Sequence, residues 1–281
     1  MDRFESILEK VNTASTDNGR CFTEAGRLDN IKTILADSNY VLVKDDGLSF
    51  ICLHKRHEKN KPSILISCHI DSLYSKYHYS NYNEMEILGT FDNSICNAAL
   101  LCLMMENRMP ANVIVAFTGD EESECRGAKE TVEYIRDKLD LLWQNLELVI
   151  VLDITSEGYD DGPFTIENYF IAENPPANNR LLFSSKDLFR SYLRKKLSEY
   201  EPVKFIGVDA DPDETWEYIK FDLTCFTFCF PAKAHPDNEK TDVGFWMHND
   251  LGMLIKGENI VKYSDALTLL LRGITDDFSL P

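Results

Sequence analysis

The sequence predicts an α/β protein, a three-layer sandwich with helices on both faces of a central mixed, mostly parallel twisted sheet. Three observations carry this expectation. Helical patterns and apolar β-rich runs alternate over nearly the whole length. The runs "SILISC" (63–68), "NVIVAFT" (112–118) and "LELVIVLD" (146–153) are short and almost unbroken in apolar residues. Strands buried on both faces in the middle of a parallel sheet have this composition. Between the first two lies "DNSICNAALLCLMMEN" (92–107), a good crossover helix.

The elements follow in order. "MDRFESILEKVNTA" is charged throughout and reads as an amphipathic helix over 2–13, followed by a second over 24–36. Strands are expected at 39–44 and 48–54. "HKRHEKNKP" (54–62) is a basic polar turn, and its His54 and His57 read as solvated residues. After the strand at 63–68 comes "YSKYHYSNY" (74–82), a tyrosine-dense segment that reads as a surface loop or a pocket wall. The helix over 94–107 leads to the strand at 112–118, a helix over 126–140 and the strand at 147–153. Then come a strand at 164–171, the loop "AENPPANNR" (172–180), a helix over 185–199 and a strand at 203–208. A helix over 212–219, a strand at 224–230 and a last helix over 257–272 complete the chain. No repeat and no composition shift divides the 281 residues, so a single domain over 1–281 is expected.

Charge and cysteine usage narrow the class. With 29 Lys plus Arg against 47 Asp plus Glu, the formal charge is −18. That argues against nucleic acid, whose phosphates require a basic surface. No apolar run approaches the ~18 residues of a membrane span. The N-terminus lacks the apolar stretch of a signal peptide. The cysteines form no regular framework; Cys68, Cys102, Cys225 and Cys229 sit in apolar segments, as buried thiols do. A reduced, cytoplasmic protein is the expectation.

Ligands of open α/β sheets bind beyond the carboxyl ends of the strands. There, "ILISC" runs into His69-Ile70-Asp71, "NVIVAFT" into Gly119-Asp120-Glu121-Glu122, and "LELVIVL" into Asp153. Asp92 stands just before the crossover helix. Each has an ordinary explanation when taken alone. Asp92 suits a helix N-cap, Asp153 a strand-end turn, the glutamates a solvated loop, and His69 a structural histidine. Together, several carboxylates converging on one edge repel unless a cation or shared protons compensate. Mixed His and carboxylate ligation suits zinc, with manganese or cobalt as alternatives.

The motifs "CHIDS" (68–72), "GTFDNS" (89–94), "GDEESECRGA" (119–128) and "VLDIT" (151–155) resemble, in order, those of the co-catalytic di-zinc aminopeptidases and related exopeptidases. The pattern is most similar to the single-domain branch typified by bacterial leucyl aminopeptidases, with glutaminyl cyclases as relatives. The resemblance covers about residues 60 to 272 and implies a zinc-aminopeptidase-like α/β sandwich. His69 and Asp92 are 23 positions apart, too close for the inserted dimerisation or shell domain of the multi-domain branches; a monomer is favoured, with the oligomeric state itself left open. Two departures stand out. Cys96 and Asn97 replace the glycine that usually follows the bridging-Asp motif, and Asp120 adds an acid before the glutamate pair.

The resemblance implies two Zn2+ ions and a peptide substrate. His69, Asp92 and Asp153 would hold one ion. Asp92, Glu122 and His248 would hold the other, with Asp92 shared. Asp71 would fix the tautomer of His69, and Glu121 would be the general base. The last histidine has two candidates. His248, in "FWMHNDLG", lies 17 residues after Pro231 and just before the final helix; His235, in "KAHPDNE", is the alternative. A one-zinc acyltransferase of the glutaminyl-cyclase kind, a carboxypeptidase or acyl-amino-acid hydrolase, and a silent relative stay open.

Overall fold

A computed structural model of the protein describes residues 2–12, 26–207, 213–237 and 249–278. Two helices open the chain, α1 (Asp2–Val11) and α2 (Arg27–Leu35). The central sheet has seven strands: β1 (Tyr40–Asp46), β2 (Ser49–His54), β3 (Ser63–His69), β6 (Val113–Thr118), β7 (Leu146–Thr155), β8 (Thr165–Phe170) and β9 (Cys225–Pro231). Their order is β1-β2-β6-β3-β7-β9-β8. The inner strands β6, β3, β7 and β9 run parallel, whereas β1, β2 and β8 pair antiparallel on the flanks. All residues of β3 and β6 are buried, as their unbroken apolar runs require.

Alternation along β3 sorts its side chains between two core layers. Ile64, Ile66 and Cys68 join the layer formed with α1, α3 (Ser94–Met105), α6 (Lys186–Lys196) and α8 (Gly257–Asp277). Leu65 joins the opposite layer with α4 (Arg126–Lys138), α5 (Asp140–Gln144) and α7 (Thr215–Ile219). The three-layer α/β sandwich expected from the sequence is thus the observed architecture. Among the described residues, no helix is long and apolar enough to cross a membrane.

Three local expectations need correction. Of the strand expected at 203–208, the described residues 203–207 form one bridge, between Phe205 and Ile166. Pro202 has no N–H to give a ladder, and Phe205 packs instead beneath the guanidinium groups of Arg190 and Arg194. His54 is buried, not solvated: its ring meets Tyr40 edge-on at 5.3 Å and its Nδ1 accepts from the Arg56 N–H at 3.1 Å. His57 stands 3.3 Å from Ser63 Oγ, and burial pushes its pKa down to about 4.

A second, four-stranded antiparallel sheet has the order β10-β11-β5-β4. Its strands are β4 (Tyr79–Asn81), β5 (Glu86–Gly89), β10 (Lys233–Ala234) and β11 (Met253–Lys256). Gly252 brings β11 in at φ 77°, where a Cβ would lie 2.5 Å from the Gly89 carbonyl oxygen. β4 and β5 with their connecting turns fill the interval between His69 and Asp92.

Candidate metal centre

Parallel pairing sets the ends of the central strands level. His69 is opposite Thr118 in β6, Cys68 is opposite Leu152 in β7, and Asp153 is opposite Cys229 in β9. The strand ends therefore present His69, the loop after Thr118, and Asp153 along one line. α3 begins at the same edge and brings Asp92.

The side chains converge. One ligand atom from each of His69, Asp92 and Glu122 falls within 4.8 Å of the others. His69 Nε2 lies 3.2 Å from Asp92 Oδ1, 3.3 Å from Asp153 Oδ1 and 4.0 Å from Glu121 Oε2. His69, Asp71 and Asp92 are almost fully buried. His235 does not join this group: it lies past β10, edge-on to Tyr82 at 6.3 Å and 3.8 Å from Asp237. His248 lies outside the described residues.

The backbone beneath these groups is fastened by Asp71, Asp120, Asn93, Cys96 and Asn97. Asp71 receives the N–H groups of Glu121 and Glu122, each at 3.2 Å, and its Oδ1 lies 3.6 Å from His69 Nδ1. Asp71 therefore fixes the glutamate loop as well as bordering the histidine. Asp120 turns that loop at φ 67° and grips Arg126 with both oxygens, at 2.5 and 2.8 Å. These hydrogen bonds hold its carboxyl below the usual range, which accounts for the extra acid in the motif. Asn93, joined to Asp92 by a cis peptide, donates to the Leu152 carbonyl at 2.7 Å. Cys96 donates to the Asp153 carbonyl at 3.2 Å, and Asn97 to the His69 carbonyl at 2.8 Å. The two residues that replace the expected glycine thus tie α3 to the ends of β3 and β7.

Electrostatics show what the cluster lacks. Burial alone would lower the pKa of His69, but the carboxylates of Glu121 and Asp153 carry it well above the ordinary value. Burial, reinforced by Asp153, Glu122 and Asp92, holds the Glu121 carboxyl well above its ordinary value despite His69. Burial also raises Asp153. Buried carboxylates this close keep protons unless a cation replaces them. An imidazole nitrogen with carboxylate oxygens is the donor set that zinc and similar divalent ions take, so the residues fit a metal.

Glu214, one residue before α7, lies below the centre, fully buried, and accepts from Ser67 Oγ at 2.7 Å. Burial pushes it up to about 7. Its place in a polar stretch gave no signal of this.

The model of peptidase family M28 matches residues 51–218, more than half of the chain and a span that includes His69, Asp71, Asp92, Glu121, Glu122 and Asp153. The chain belongs to peptidase family M28. It is accordingly a peptide-bond hydrolase of a metal-dependent family. No curated protein matches the chain. Among solved structures, the aminopeptidase APDkam598 from the archaeon Desulfurococcus kamchatkensis superposes with a TM-score of 0.69 at 10% identity, covering 96% of this chain and 94% of that one. A TET aminopeptidase from a marine sediment Thaumarchaeota archaeon gives 0.67 at 11% identity, covering 96% and 97%. The TET1 peptidase of Pyrococcus horikoshii gives 0.64 at 14% identity, covering 95% and 99%. At these identities the likeness establishes the fold alone.

The expectation of a monomer is corrected by the last of these, which is described as assembling into a tetrahedron or a large octahedral shell. The distance between His69 and Asp92 bears on inserted domains, not on whether surfaces join. A surface that joins copies is built of residues that look like any other solvent-facing set in a single sequence.

Proposed function

We propose that this M28 member is a zinc-dependent aminopeptidase that removes the N-terminal residue of short peptides. The convergence of His69, Asp92 and Glu122 within 4.8 Å carries the reading, with Asp153 on the same imidazole. In it, His69, Asp92 and Asp153 hold one zinc ion, and Asp92, Glu122 and His248 the other. Asp250, two residues beyond His248, accepts from the Ser75 and Lys76 N–H groups at 2.7 and 3.3 Å. This supports His248 over His235, because Ser75 is four residues from Asp71. The reading also takes residues 1–281 as one catalytic domain with no inserted dimerisation or lid domain.

Bound zinc supplies Lewis acidity toward water and the scissile carbonyl. The chain supplies the rest. Glu121 stands within 4.0 Å of His69 Nε2 without being assigned as a ligand. It takes a proton from the attacking water and delivers it to the leaving amine. Asp71 holds the Glu121 and Glu122 backbone so that base and ligand keep their spacing.

Metal analysis beside turnover of a panel of aminoacyl anilides and dipeptides tests this. Two zinc ions per chain with turnover are expected. Glu121→Gln should keep the metal and lose about 10²–10⁴-fold in turnover. Full activity in that variant overturns the base assignment. One zinc with cyclisation of N-terminal glutamine peptides points instead to an acyltransferase. The assembling neighbour supports a further proposal, that copies of this chain associate; a light-scattering mass equal to one chain of 32.2 kDa overturns it.

A further inference from the structure

The tyrosine-dense segment "YSKYHYSNY" (74–82) holds a half-buried histidine that joins two parts of the site. The backbone of His78, just before β4, bonds to Thr90 in both directions. Its N–H donates to Thr90 Oγ1 at 3.1 Å, and the Thr90 N–H donates to the His78 carbonyl at 3.0 Å. The same carbonyl accepts from Asn12 Nδ2 at 3.3 Å, and Asn12 Oδ1 accepts from Ser94 Oγ at 2.8 Å. Asn12, Thr90 and Ser94 are all buried. Thr90 stands two residues before Asp92, and Ser94 two residues after it. The main chain of His78 thus brackets Asp92 from both sides.

The imidazole points to a different partner. Nε2 lies 2.9 Å from the Asp250 carbonyl oxygen. A carbonyl oxygen only accepts, so Nε2 carries the proton and donates it. Asp250 also takes the Ser75 and Lys76 N–H groups on its carboxylate. Both Asn12 and Asp250 lie outside residues 51–218, the span that matches the family. Through His78, two outlying parts of the chain therefore meet at the Asp92 turn.

The two ions of the reading above would depend on this link unequally. Asp153 and His69 project from β7 and β3, neighbours in the central sheet, and Asn93 and Asn97 tie the Asp92 turn to those same strands. The ligands of the first ion share one rigid support. His248 instead precedes residues 249–252 and β11, which pairs with β10 and β5 in the second sheet. Whatever fastens residues 249–252 to the Asp92 turn then sets the spacing of the second ion's ligands.

We propose that His78 is a positioning residue for the second ion: its imidazole holds the loop that follows His248 at a set distance from Asp92, so that both can bind one zinc. This rests on the two-zinc reading above.

The test reads zinc affinity, not turnover. Chelated protein is titrated calorimetrically with zinc, in the wild type and three variants. A change of side chain leaves the main-chain bonds to Thr90 and Asn12 in place, so the fold should hold. His78→Leu should weaken one of the two ions by about 10–100-fold and leave the other within about twofold of the wild type. In His78→Gln the amide nitrogen is as many bonds from Cα as Nε2, so the donor is kept and both ions should bind as in the wild type. His78→Asn is one bond too short and should behave like the leucine variant, which preserves the comparison if leucine disturbs folding. Both ions weakened alike, neither ion weakened, or glutamine no better than asparagine overturns the proposal. A merely structural role predicts a lower Tm with no difference between the ions and no rescue by glutamine. A wild type that takes up one zinc defeats the two-zinc reading, and this proposal with it, before any variant is compared. Two wild-type ions that are lost together in the variants defeat the proposal alone.

Discussion

Asp71 gives its two carboxylate oxygens to the backbone N–H groups of Glu121 and Glu122. An amide in its place offers one acceptor and turns a donor toward one of those N–H groups. Asp71→Asn should therefore keep the fold and lower kcat by about 10–100-fold, the usual cost of disturbing a supporting residue. Steady-state kinetics beside metal analysis checks this, and an unchanged kcat would remove Asp71 from the working site. Glu214 makes a different prediction, in pH. Its folded value of about 7 exceeds the ordinary 4.5 because burial disfavours the charge. The folded chain keeps a proton that the unfolded chain releases, so this group's contribution is whole below about pH 4.5 and is lost as pH rises toward about 7. Glu214→Gln should leave Tm unchanged near about pH 4 and raise it near about pH 8, in chelator-treated protein followed by thermal melts. The amide oxygen still accepts from Ser67, so equal pH profiles for the two proteins would show that Glu214 ionises as an ordinary surface carboxylate.

The element that positions the glutamates is the strand-loop-helix unit of β6, residues 119–125 and α4. Gly127 lets α4 start against the loop: a Cβ there would lie 2.4 Å from the Leu48 carbonyl oxygen and 2.6 Å from Gly119 N. Those are backbone atoms and cannot turn aside, so Gly127→Ala should destabilise by about 1–3 kcal/mol. Because the shift falls on the loop carrying Glu121, turnover should fall further than stability alone explains. Denaturant melts beside kcat test this; loss of stability with kcat intact would separate the two. This unit was legible in sequence because apolar runs and strand-end acids are local patterns. So were His69 and Asp153, each at the end of such a run. The second sheet was not legible. β4, β5, β10 and β11 have two to four residues each, and β11 pairs with β5 across more than 160 positions. Nothing in "YSN" or "KA" signals a strand until a distant partner supplies its hydrogen bonds. The burial of Glu214 was hidden for the same reason, since its partner Ser67 comes from a strand far away in sequence. Asn97 is the converse case: a residue that broke the family pattern holds the end of β3 through the His69 carbonyl.

At the scale of the whole molecule, the centre joins the carboxyl ends of β3, β6 and β7 to the start of α3, so its charge state acts on the entire sheet edge. Without metal, His69 stands far above its ordinary pKa because of Glu121 and Asp153, and the carboxyls of Glu121 and Asp153 are raised by burial. Both kinds of shift have the same sign for stability. A histidine raised in the folded state stabilises fully below its unfolded value, and that contribution is lost as pH rises through the folded one. A carboxyl raised in the folded state likewise holds a proton that the unfolded chain has released, so its contribution also falls as pH rises. The metal-free protein should therefore weaken steadily from about pH 5 to about pH 8. Metal binding has the opposite dependence, because its ligands must be deprotonated. At a free zinc concentration about 100 times Kd, binding adds about 2.7 kcal/mol. For a chain of this size that is about 5–10 °C in Tm. The Tm difference between zinc-loaded and chelated protein should accordingly be several degrees near about pH 8 and shrink toward about pH 5. Thermal melts of both forms across that range decide the matter. A difference that is independent of pH, or larger in acid, would mean that the clustered carboxylates do not hold the ion.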